Sequence, residues 1–299
     1  LGELLENFKR ECRTLEKRGY DISLTIMDAA NSQRTQDDQV QEMIGNGCDI
    51  LCVNLADRTD PSQIITAAQE HDIPIIFFNR EPVEEDLMQW DQLYYVGAKA
   101  KQSGQMQGQL AADYIKEHPD VDRNHDGKIQ YVILEGEMGH QDAIIRTESV
   151  VESLKEQGIE REKLSYQIAN WNRAQAQNRM KQLIGQYKHR IEVVIANNDA
   201  MALGAMDAYE KLGYTESNWP VFFGIDGTKE GLEAVQAGTL AATVYNDKEG
   251  QATTMANLAF SVATEDENNP NPFKNYKYIY CAYQKVTKEN VQTFLEKEE

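Results

Sequence analysis

The chain has 299 residues, of which 41% are hydrophobic and 26% charged, and this composition is typical of a globular protein with a packed core. Its 49 acidic side chains outnumber its 30 basic ones and leave a net charge of -19, which disfavours nucleic acid as a partner because phosphates would be repelled. No apolar run approaches the roughly 20 residues that a membrane-spanning helix needs.

The first element that the sequence predicts is a helix. Residues 1–20 place apolar side chains at positions 1, 4, 5, 8, 12 and 15, which is the spacing of one helical face. A domain of alternating strands and helices should open with a strand, so we expect further sequence before Leu1 in the natural protein.

Strand-like and helix-like stretches then alternate along almost the whole chain. Amphipathic patterns predict helices at residues 61–72, 103–118, 142–158 and 229–238. Short apolar runs separated by helices are typical of parallel strands buried on both faces, so the predicted fold class is doubly wound α/β. The predicted strands are residues 21–29, 49–56, 73–81, 93–98, 129–137, 163–171, 191–198, 220–227 and 240–247.

Nine strands are many for one sheet, so the sequence predicts two lobes. The alternation is interrupted at residues 94–104, where the chain could cross from one lobe to the other. The polar, Asn- and Pro-rich stretch at residues 265–277 predicts a surface loop.

Several predicted strands end in polar side chains. In open α/β sheets, ligands bind at the carboxyl ends of strands, so amides and carboxylates at four such ends favour a ligand rich in hydroxyl groups. The alternative is that these residues only cap the following helices or form turns. The residues concerned are Asn79, Asn197, Asn198, Asp226, Asn246 and Asp247.

Residues 122–130 match the first nine positions of a calcium-binding loop, with Gly127 at the turn position. The candidate ligands are Asp122, Asn124, Asp126, the carbonyl of Lys128, and Gln130. Position 12 should be a glutamate, but it is Ile133 inside a predicted strand, so another carboxylate must complete the site. We expect it to be Glu192, which begins an apolar strand where a carboxylate has little other reason to be.

A third cluster of polar and aromatic residues follows the strand at 129–137. Asp142 and Arg146 are four residues apart and share one helix face, and His140 precedes the predicted helix start. They could contact a sugar, or Asp142 and Arg146 could form only a surface ion pair. Trp171, at the end of another strand, is either a core residue or a platform for the apolar face of a sugar ring.

The chain resembles the bacterial D-galactose/D-glucose-binding proteins, the soluble receptors of galactose/methyl-galactoside ABC transporters. The resemblance covers nearly the whole chain and rests on FFNREP, YYVGAKAKQSG, DRNHDGKIQYVILEGEMGH, ANWNRAQAQ, IEVVIANNDAMALGA, VFFGID and TVYND. It implies the periplasmic binding protein type I fold, in which a three-strand hinge joins two Rossmann-like lobes and the sugar binds between them. It places the N-terminal lobe at 1–97 and 246–281, and the C-terminal lobe at 98–245 and 282–299.

The resemblance also implies the binding residues. One structural calcium ion would bind Asp122, Asn124, Asp126, Lys128 through its carbonyl, Gln130 and Glu192. The sugar contacts would be Asn79, His140, Asp142, Arg146, Trp171, Asn198, Asp226 and Asn246. The family's first strand and a following Asp and Phe have no counterpart after Leu1, so we expect them to precede it.

As a member of this family, the protein would be monomeric and periplasmic or extracellular, either free or lipid-anchored. It would deliver sugar to a membrane permease and could also signal to a chemoreceptor or sensor kinase. Two other classes of protein are alternatives. A glycoside hydrolase would use Asp142 and Asp226 as its carboxylate pair, and a sugar-responsive repressor core would need a basic DNA-binding headpiece. Neither has a supporting motif, so we expect no enzyme.

Overall fold

The computed structural model describes residues 1–264 and 276–297. In chain order, its helices are α1 (Gly2–Lys17), α2 (Gln33–Gly45), α3 (Ser62–Glu70), α4 (Glu84–Leu87), α5 (Ala100–Glu117), α6 (Gln141–Glu156), α7 (Arg173–Tyr187), α8 (Asp199–Lys211), α9 (Lys229–Ala237), α10 (Lys248–Thr264) and α11 (Val291–Leu295). Its strands are β1 (Leu51–Val53), β2 (Ile75–Phe78), β3 (Leu93–Gly97), β4 (Ile129–Glu135), β5 (Arg161–Ile168), β6 (Val193–Ala196), β7 (Val221–Phe223), β8 (Thr243–Tyr245), β9 (Tyr278–Tyr280) and β10 (Gln284–Val286).

The strand predicted at residues 21–29 is wrong, because the structure assigns no strand there. Its apolar alternation meets no hydrogen-bonded neighbour among the described strands, and Leu24 and Ile26 are 42% and 46% exposed. The sequence also missed β9 and β10, which are only three residues long. The loop predicted at residues 265–277 lies outside the described residues apart from its last two positions.

The chain divides into two compact units. Unit 1 comprises residues 1–98 and 247–282, and unit 2 comprises residues 99–246 and 283–299. The chain therefore passes between the units at three points, each one residue C-terminal to the lobe boundary expected from the sequence.

Unit 1 contains a parallel sheet in the order β1-β2-β3-β9. Successive residues of a strand point to opposite faces, so Ile75 and Phe77 pack with α2 and α3, whereas Ile76 packs with α1 and α10. Helices thus cover both faces of this sheet, which explains why its strands are almost continuously apolar.

Unit 2 contains a second parallel sheet in the order β5-β4-β6-β7, followed by the antiparallel pair β8 and β10. The chain passes from β4 to β5, which lies on one side of β4, and then to β6, which lies on the other side of β4. The strand order therefore reverses between β4 and β6, and ligands of such sheets bind at the carboxyl ends of strands beside that reversal.

Four helices of unit 2 begin at this carboxyl edge, and each begins at a side-chain cap. His140, Asn172, Asn198 and Thr228 accept hydrogen bonds from backbone N–H groups in the first turns of α6, α7, α8 and α9. These caps fix where each helix starts, and they place the helix amino termini at the same edge as the predicted ligand contacts. No helix in the two described ranges is long and apolar enough to cross a membrane.

Candidate ligand-binding site

The carboxyl edge of the unit 2 sheet brings together most of the predicted sugar contacts. Arg146 lies in the second turn of α6, Trp171 follows β5, and Asp226 follows β7. His140 caps α6, and Asn198 caps α8 directly after β6. Residues from four segments that are distant in sequence therefore meet here.

Arg146 is the centre of this cluster and is only 5% exposed, so it is not part of a surface ion pair. Its Nη1 donates to the carbonyl of Asn197 at 2.7 Å and lies 3.4 Å from Oδ1 of Asp226. Its Nη2 donates to the hydroxyl of Tyr283 at 3.1 Å. Its Nε is buried and has no hydrogen-bond partner in the structure. A buried donor without an acceptor costs free energy, which a ligand oxygen would recover.

The guanidinium of Arg146 stays charged although it is buried. Burial acts to lower the pKa of Arg146, but Tyr283, Asp226 and Asp142 outweigh that effect and raise it. Burial in turn raises the pKa of the Tyr283 hydroxyl, which therefore remains protonated. The site thus presents a fixed positive charge beside the carboxylate of Asp226, which suits ligands that both accept and donate hydrogen bonds.

Trp171 is half-buried and held by an unusual turn. Asn170 and Trp171 both have left-handed backbone conformations, with φ values of 51° and 59°. The indole ring packs so closely on Gly136 that a Cβ at that position would lie 2.2 Å from ring atoms. The ring of His140 meets the indole edge-on with centroids 5.2 Å apart, and the guanidinium carbon of Arg146 lies 5.7 Å from the indole centroid. The indole is therefore a fixed flat surface bordered by polar groups.

The remaining polar residues of unit 2 also serve local structure. The Oδ1 of Asn198 accepts from the N–H of Met201 at 3.0 Å, so the capping role considered from the sequence is present. Asp226 has a φ of 113°, and its carbonyl accepts from the N–H of Asn246 at 3.0 Å. The N–H of Asp142 donates to Nδ1 of His140 at 3.2 Å. These contacts orient the residues.

Asn79 belongs to unit 1, where it follows β2 in a left-handed conformation with a φ of 60°. Its Nδ2 donates to Oδ1 of Asn54 at 3.2 Å, and its carbonyl accepts from the hydroxyl of Tyr95 at 3.0 Å. The first contact orients the Asn79 side chain, and the second holds its backbone. Its role as a sugar contact stays a prediction.

Sequence reasoning missed three residues that build this site. Asn197 was noted only as a polar strand end, yet its carbonyl binds Arg146 and its Oδ1 accepts from the N–H of Gly136 at 3.2 Å. Tyr283 and Asp199 gave no signal, because one lies far along the chain and the other reads as an ordinary helix-start residue. Only the folded chain brings Tyr283 to Arg146 and Asp199 to the segment around Asp226.

The calcium-type loop lies at the opposite, amino-terminal edge of the same sheet, before β4. Glu192, before β6, contacts this loop and accepts hydrogen bonds from the backbone N–H groups of Arg123 at 2.7 Å and Gln130 at 2.8 Å. The carboxylate of Asp122 accepts from the N–H of Gly127 at 2.9 Å. Asp126 accepts from the N–H of Lys128, and this contact is the largest cause of its lowered pKa.

The side chains of this loop decide whether it can hold a metal ion. Within the described residues, no group of three or more His, Cys, Asp and Glu side chains is arranged to hold one. The amides of Asn124 and Gln130 fill the loop instead, and they donate to Asp126 at 3.2 and 2.9 Å. However, every candidate ligand has an oxygen atom to offer, and an amide that rotates by half a turn exchanges its nitrogen for its oxygen. An all-oxygen set of this kind suits a hard cation such as Ca²⁺.

An open groove of about 990 Å³ borders this loop rather than the ligand cluster. Its lining includes Arg123, Asn124, Glu192 and Trp219, and Val221 marks it as lying at the amino end of β7. The guanidinium of Arg123 donates to the carbonyls of Asn218 and Trp219, so it is already engaged. The groove is therefore separate from the cluster around Arg146.

Comparisons with known proteins agree with this architecture. A family model described as a periplasmic binding protein domain matches residues 3–267. The chain is 37% identical, over 92% of its length and 82% of the relative's, to the D-galactose/methyl-galactoside binding periplasmic protein MglB of Haemophilus influenzae. It is 30% identical, over 98% of its length and 88% of the relative's, to a putative rhizopine-binding protein of Rhizobium meliloti.

A solved structure gives the same picture. The ABC transporter solute binding protein of Bacillus halodurans with bound myo-inositol superposes with a TM-score of 0.81 at 28% identity, over 99% of this chain and 94% of that one. A solute binding protein of Actinobacillus succinogenes with bound D-allose also has a TM-score of 0.81, over 97% and 95% of the two chains, and at 21% identity it supports the fold alone.

Proposed function

The chain belongs to the periplasmic binding proteins, and from this premise we propose that it binds D-galactose or D-glucose for delivery to an ABC transporter. The resemblance and the type I fold expected from the sequence are both confirmed. Members of this family are substrate-binding proteins of transport systems and not enzymes. The hydrolase and repressor alternatives therefore have no support.

The observation that supports the sugar proposal is the buried guanidinium of Arg146, which lies between Asp226 and Trp171. Its Nε has no acceptor, its Nη1 is 3.4 Å from Asp226, and the indole of Trp171 lies 5.7 Å from the guanidinium carbon. A pyranose matches this arrangement, because it combines ring and hydroxyl oxygens, hydroxyl donors and an apolar C–H face. Arg146 would donate to the sugar, Asp226 would accept, and Trp171 would stack.

The other contacts of unit 2 would complete the recognition. His140 would donate from its ring, and Asp142 would accept from a hydroxyl group. Asn198 would offer its Nδ2, because its Oδ1 already caps α8. Asn246 would add an amide next to Asp226, to which its backbone N–H is bonded.

The loop at residues 122–130, completed by Glu192, is our proposed Ca²⁺ site. Asp122, Asn124, Asp126, Gln130 and Glu192 would supply side-chain oxygens, and Lys128 its carbonyl. The two positive charges of the ion would offset most of the negative charge of three carboxylates at one edge of the sheet. Its role would be structural, since the loop lies at the amino ends of the strands and the sugar cluster lies at their carboxyl ends.

The setting of the protein follows from its family. Its relatives are periplasmic, and we propose that this protein works outside the cytoplasmic membrane, either free or lipid-anchored. We further propose that it is a monomer, and that it signals to a chemoreceptor or a sensor kinase in addition to serving a permease.

Calorimetric titration tests the sugar proposal. The protein, saturated with Ca²⁺, is titrated with D-galactose, D-glucose, D-ribose and myo-inositol under identical conditions. We expect saturable binding of D-galactose or D-glucose and at least about tenfold weaker binding of the other two, a difference of about 1.4 kcal/mol. Preferred binding of myo-inositol, or no binding of either hexose, would overturn the proposal.

A further inference from the structure

A buried carboxylate outside the predicted set of contacts adjoins Asp226. Asp199 is the first residue of α8 and is fully buried. Its Oδ1 accepts a hydrogen bond from the hydroxyl of Thr243 at 2.6 Å, and its Oδ2 accepts from the N–H of Thr228 at 2.9 Å. Burying a carboxylate is costly unless its hydrogen-bond partners are held in place, so these contacts favour one arrangement of the segments that supply them.

Asp199 holds the segment that carries Asp226 from both ends. Its backbone N–H donates to the carbonyl of Ile225 at 2.7 Å, one residue before Asp226, and its side chain binds Thr228, two residues after it. Between these two points the backbone is unusual, with φ values of 113° at Asp226 and 64° at Gly227. A non-glycine residue with this φ is strained, and such a conformation persists only where the surroundings over-determine it.

The same carboxylate links this turn to β8. Thr243 lies in β8, and the N–H of Asp226 donates to the carbonyl of the next residue, Val244, at 2.8 Å. Asn246, which follows β8, donates its N–H to the carbonyl of Asp226. Asp199 is therefore bonded to both segments that present these two predicted contacts, and it directly follows the third, Asn198.

Packing leaves the carboxylate no freedom to move. A Cβ at Gly224 would lie 2.1 Å from Oδ1 of Asp199, and a Cβ at Gly231 would lie 2.3 Å from its Oδ2. Burial, and then the charge of Asp226, raise the pKa of Asp199 to about 7. The fold thus keeps an ionisable side chain beside Asp226, in surroundings that disfavour its charged form.

We propose that Asp199 is a positioning residue, whose carboxylate fixes the 225–228 turn and β8 so that Asp226 meets the ligand, and which thereby sets the affinity of the site. It does not touch the ligand itself. This inference rests on the proposed function, because it requires Asp226 to be a ligand contact.

A double-mutant cycle tests this role, with D-galactose affinity measured by calorimetry in Ca²⁺. We expect Asp199→Asn to weaken binding about tenfold, which corresponds to about 1.4 kcal/mol. In an Asp226→Asn background the same change should alter the affinity by less than about twofold, because the group that it positions is already impaired. An equal loss in both backgrounds, or wild-type affinity in Asp199→Asn, would overturn the proposal.

A matched pair at Thr243 keeps the test decisive if Asp199→Asn does not fold. Thr243→Val removes the hydroxyl that binds Asp199, and Thr243→Ser retains it. We expect the valine variant to bind D-galactose about fivefold more weakly and the serine variant to stay within about twofold of wild type, a difference near 1 kcal/mol. Equal affinities in the two variants would refute the positioning role. If the wild-type protein binds none of the four ligands, the proposed function fails, and this inference fails with it.

Discussion

The two edges of the unit 2 sheet carry the same kinds of polar residue, but the hydrogen bonds of those residues differ between the edges. At the amino edge, the carboxylates of Asp122, Asp126 and Glu192 accept hydrogen bonds from backbone N–H groups of the loop itself. At the carboxyl edge, Asp226 faces a buried arginine whose Nε has no partner. Both groups of residues flank strands β4 and β6, one group at the amino ends of the strands and the other at their carboxyl ends.

This difference fits the two roles that we propose, a structural site at the amino edge and a recognition site at the carboxyl edge. The loop at residues 122–130 is closed by its own backbone, so a cation there would reinforce contacts that already exist. The cluster around Arg146 is closed only in part, and one buried donor remains without an acceptor. A ligand at this edge would supply contacts that the chain does not make, which is how a binding protein gains affinity for a polar molecule.

The largest effect should come from removing the buried positive charge of Arg146, which would make the carboxyl edge lose its ligand. Arg146→Met should weaken D-galactose binding at least about 100-fold, because hydrogen bonds to charged groups contribute about 1.5–3 kcal/mol each and Asp226 loses its partner. Lys155→Met removes an exposed positive charge from the same helix and should leave affinity unchanged. Calorimetry on both variants checks this, and an affinity within threefold of wild type for Arg146→Met would contradict it.

Calcium removal should act on the other edge and on stability alone. A ligand present at 1,000 times its Kd stabilises the folded state by about 4 kcal/mol, so a chelator should lower the Tm by about 10 °C. Glu192→Gln should lower the Tm similarly and should abolish the effect of the chelator. Glu160 is an exposed residue directly before β5, and the Glu160→Gln variant should retain the chelator effect. A Tm unchanged by chelation of the wild-type protein would exclude a structural cation.

The position of the Trp171 indole ring can be tested without changing any charge. Gly136→Ala would place a methyl group 2.2 Å from indole atoms, so the ring must move, and we expect D-galactose affinity to fall about tenfold, or about 1.4 kcal/mol. Gly185→Ala in α7 meets no atom within 4 Å and should leave affinity unchanged while raising stability by up to about 1 kcal/mol. Tryptophan fluorescence, read beside the affinities, would show whether the indole environment changes only in the first variant.

The last expected effect concerns the pH dependence of stability. Burial raises the pKa of Asp199 from 3.8 to about 7, so the folded state holds this proton more tightly than the unfolded state does. The favourable contribution of the protonated form is complete below about pH 4 and is lost as the pH rises to about 7. Between these limits, the stability of wild type relative to Asp199→Asn should fall by up to about 1.4 kcal/mol per pH unit. Urea unfolding of both proteins at several pH values measures it, and parallel curves would show that Asp199 does not titrate in this range.

Most of the fold could be predicted from the sequence, because buried parallel strands leave a local pattern. The runs that became β2 and β6 are continuously apolar, since helices cover both faces of their sheets. Residues 21–29 have a similar pattern but form no strand, because a strand also needs a hydrogen-bonded neighbour, and pattern alone does not supply one. The three-residue β9 and β10 leave too short a pattern to detect.

The candidate site was predictable only in its residue types. Asn198 and Asp226 were visible as polar strand ends, and Asp142 and Arg146 as neighbours on one helix face. The sequence does not show that Arg146 is buried, that it binds the carbonyl of Asn197 and the hydroxyl of Tyr283, or that Asp199 holds the turn around Asp226. Each of these contacts joins segments that are 29 or more positions apart in the chain.

The sequence by itself therefore determined the family, the α/β class and the chemistry available at each strand end, because these depend on local patterns of apolar and polar residues. Tertiary structure alone decided which of those groups are satisfied by the chain and which are left for a ligand. Hydrogen-bond satisfaction and burial depend on neighbours in space, and parallel strands joined by helices bring together residues that no local pattern connects. Arg146 illustrates the point, since only the fold turns an ordinary helix residue into a buried donor with a contact still to make.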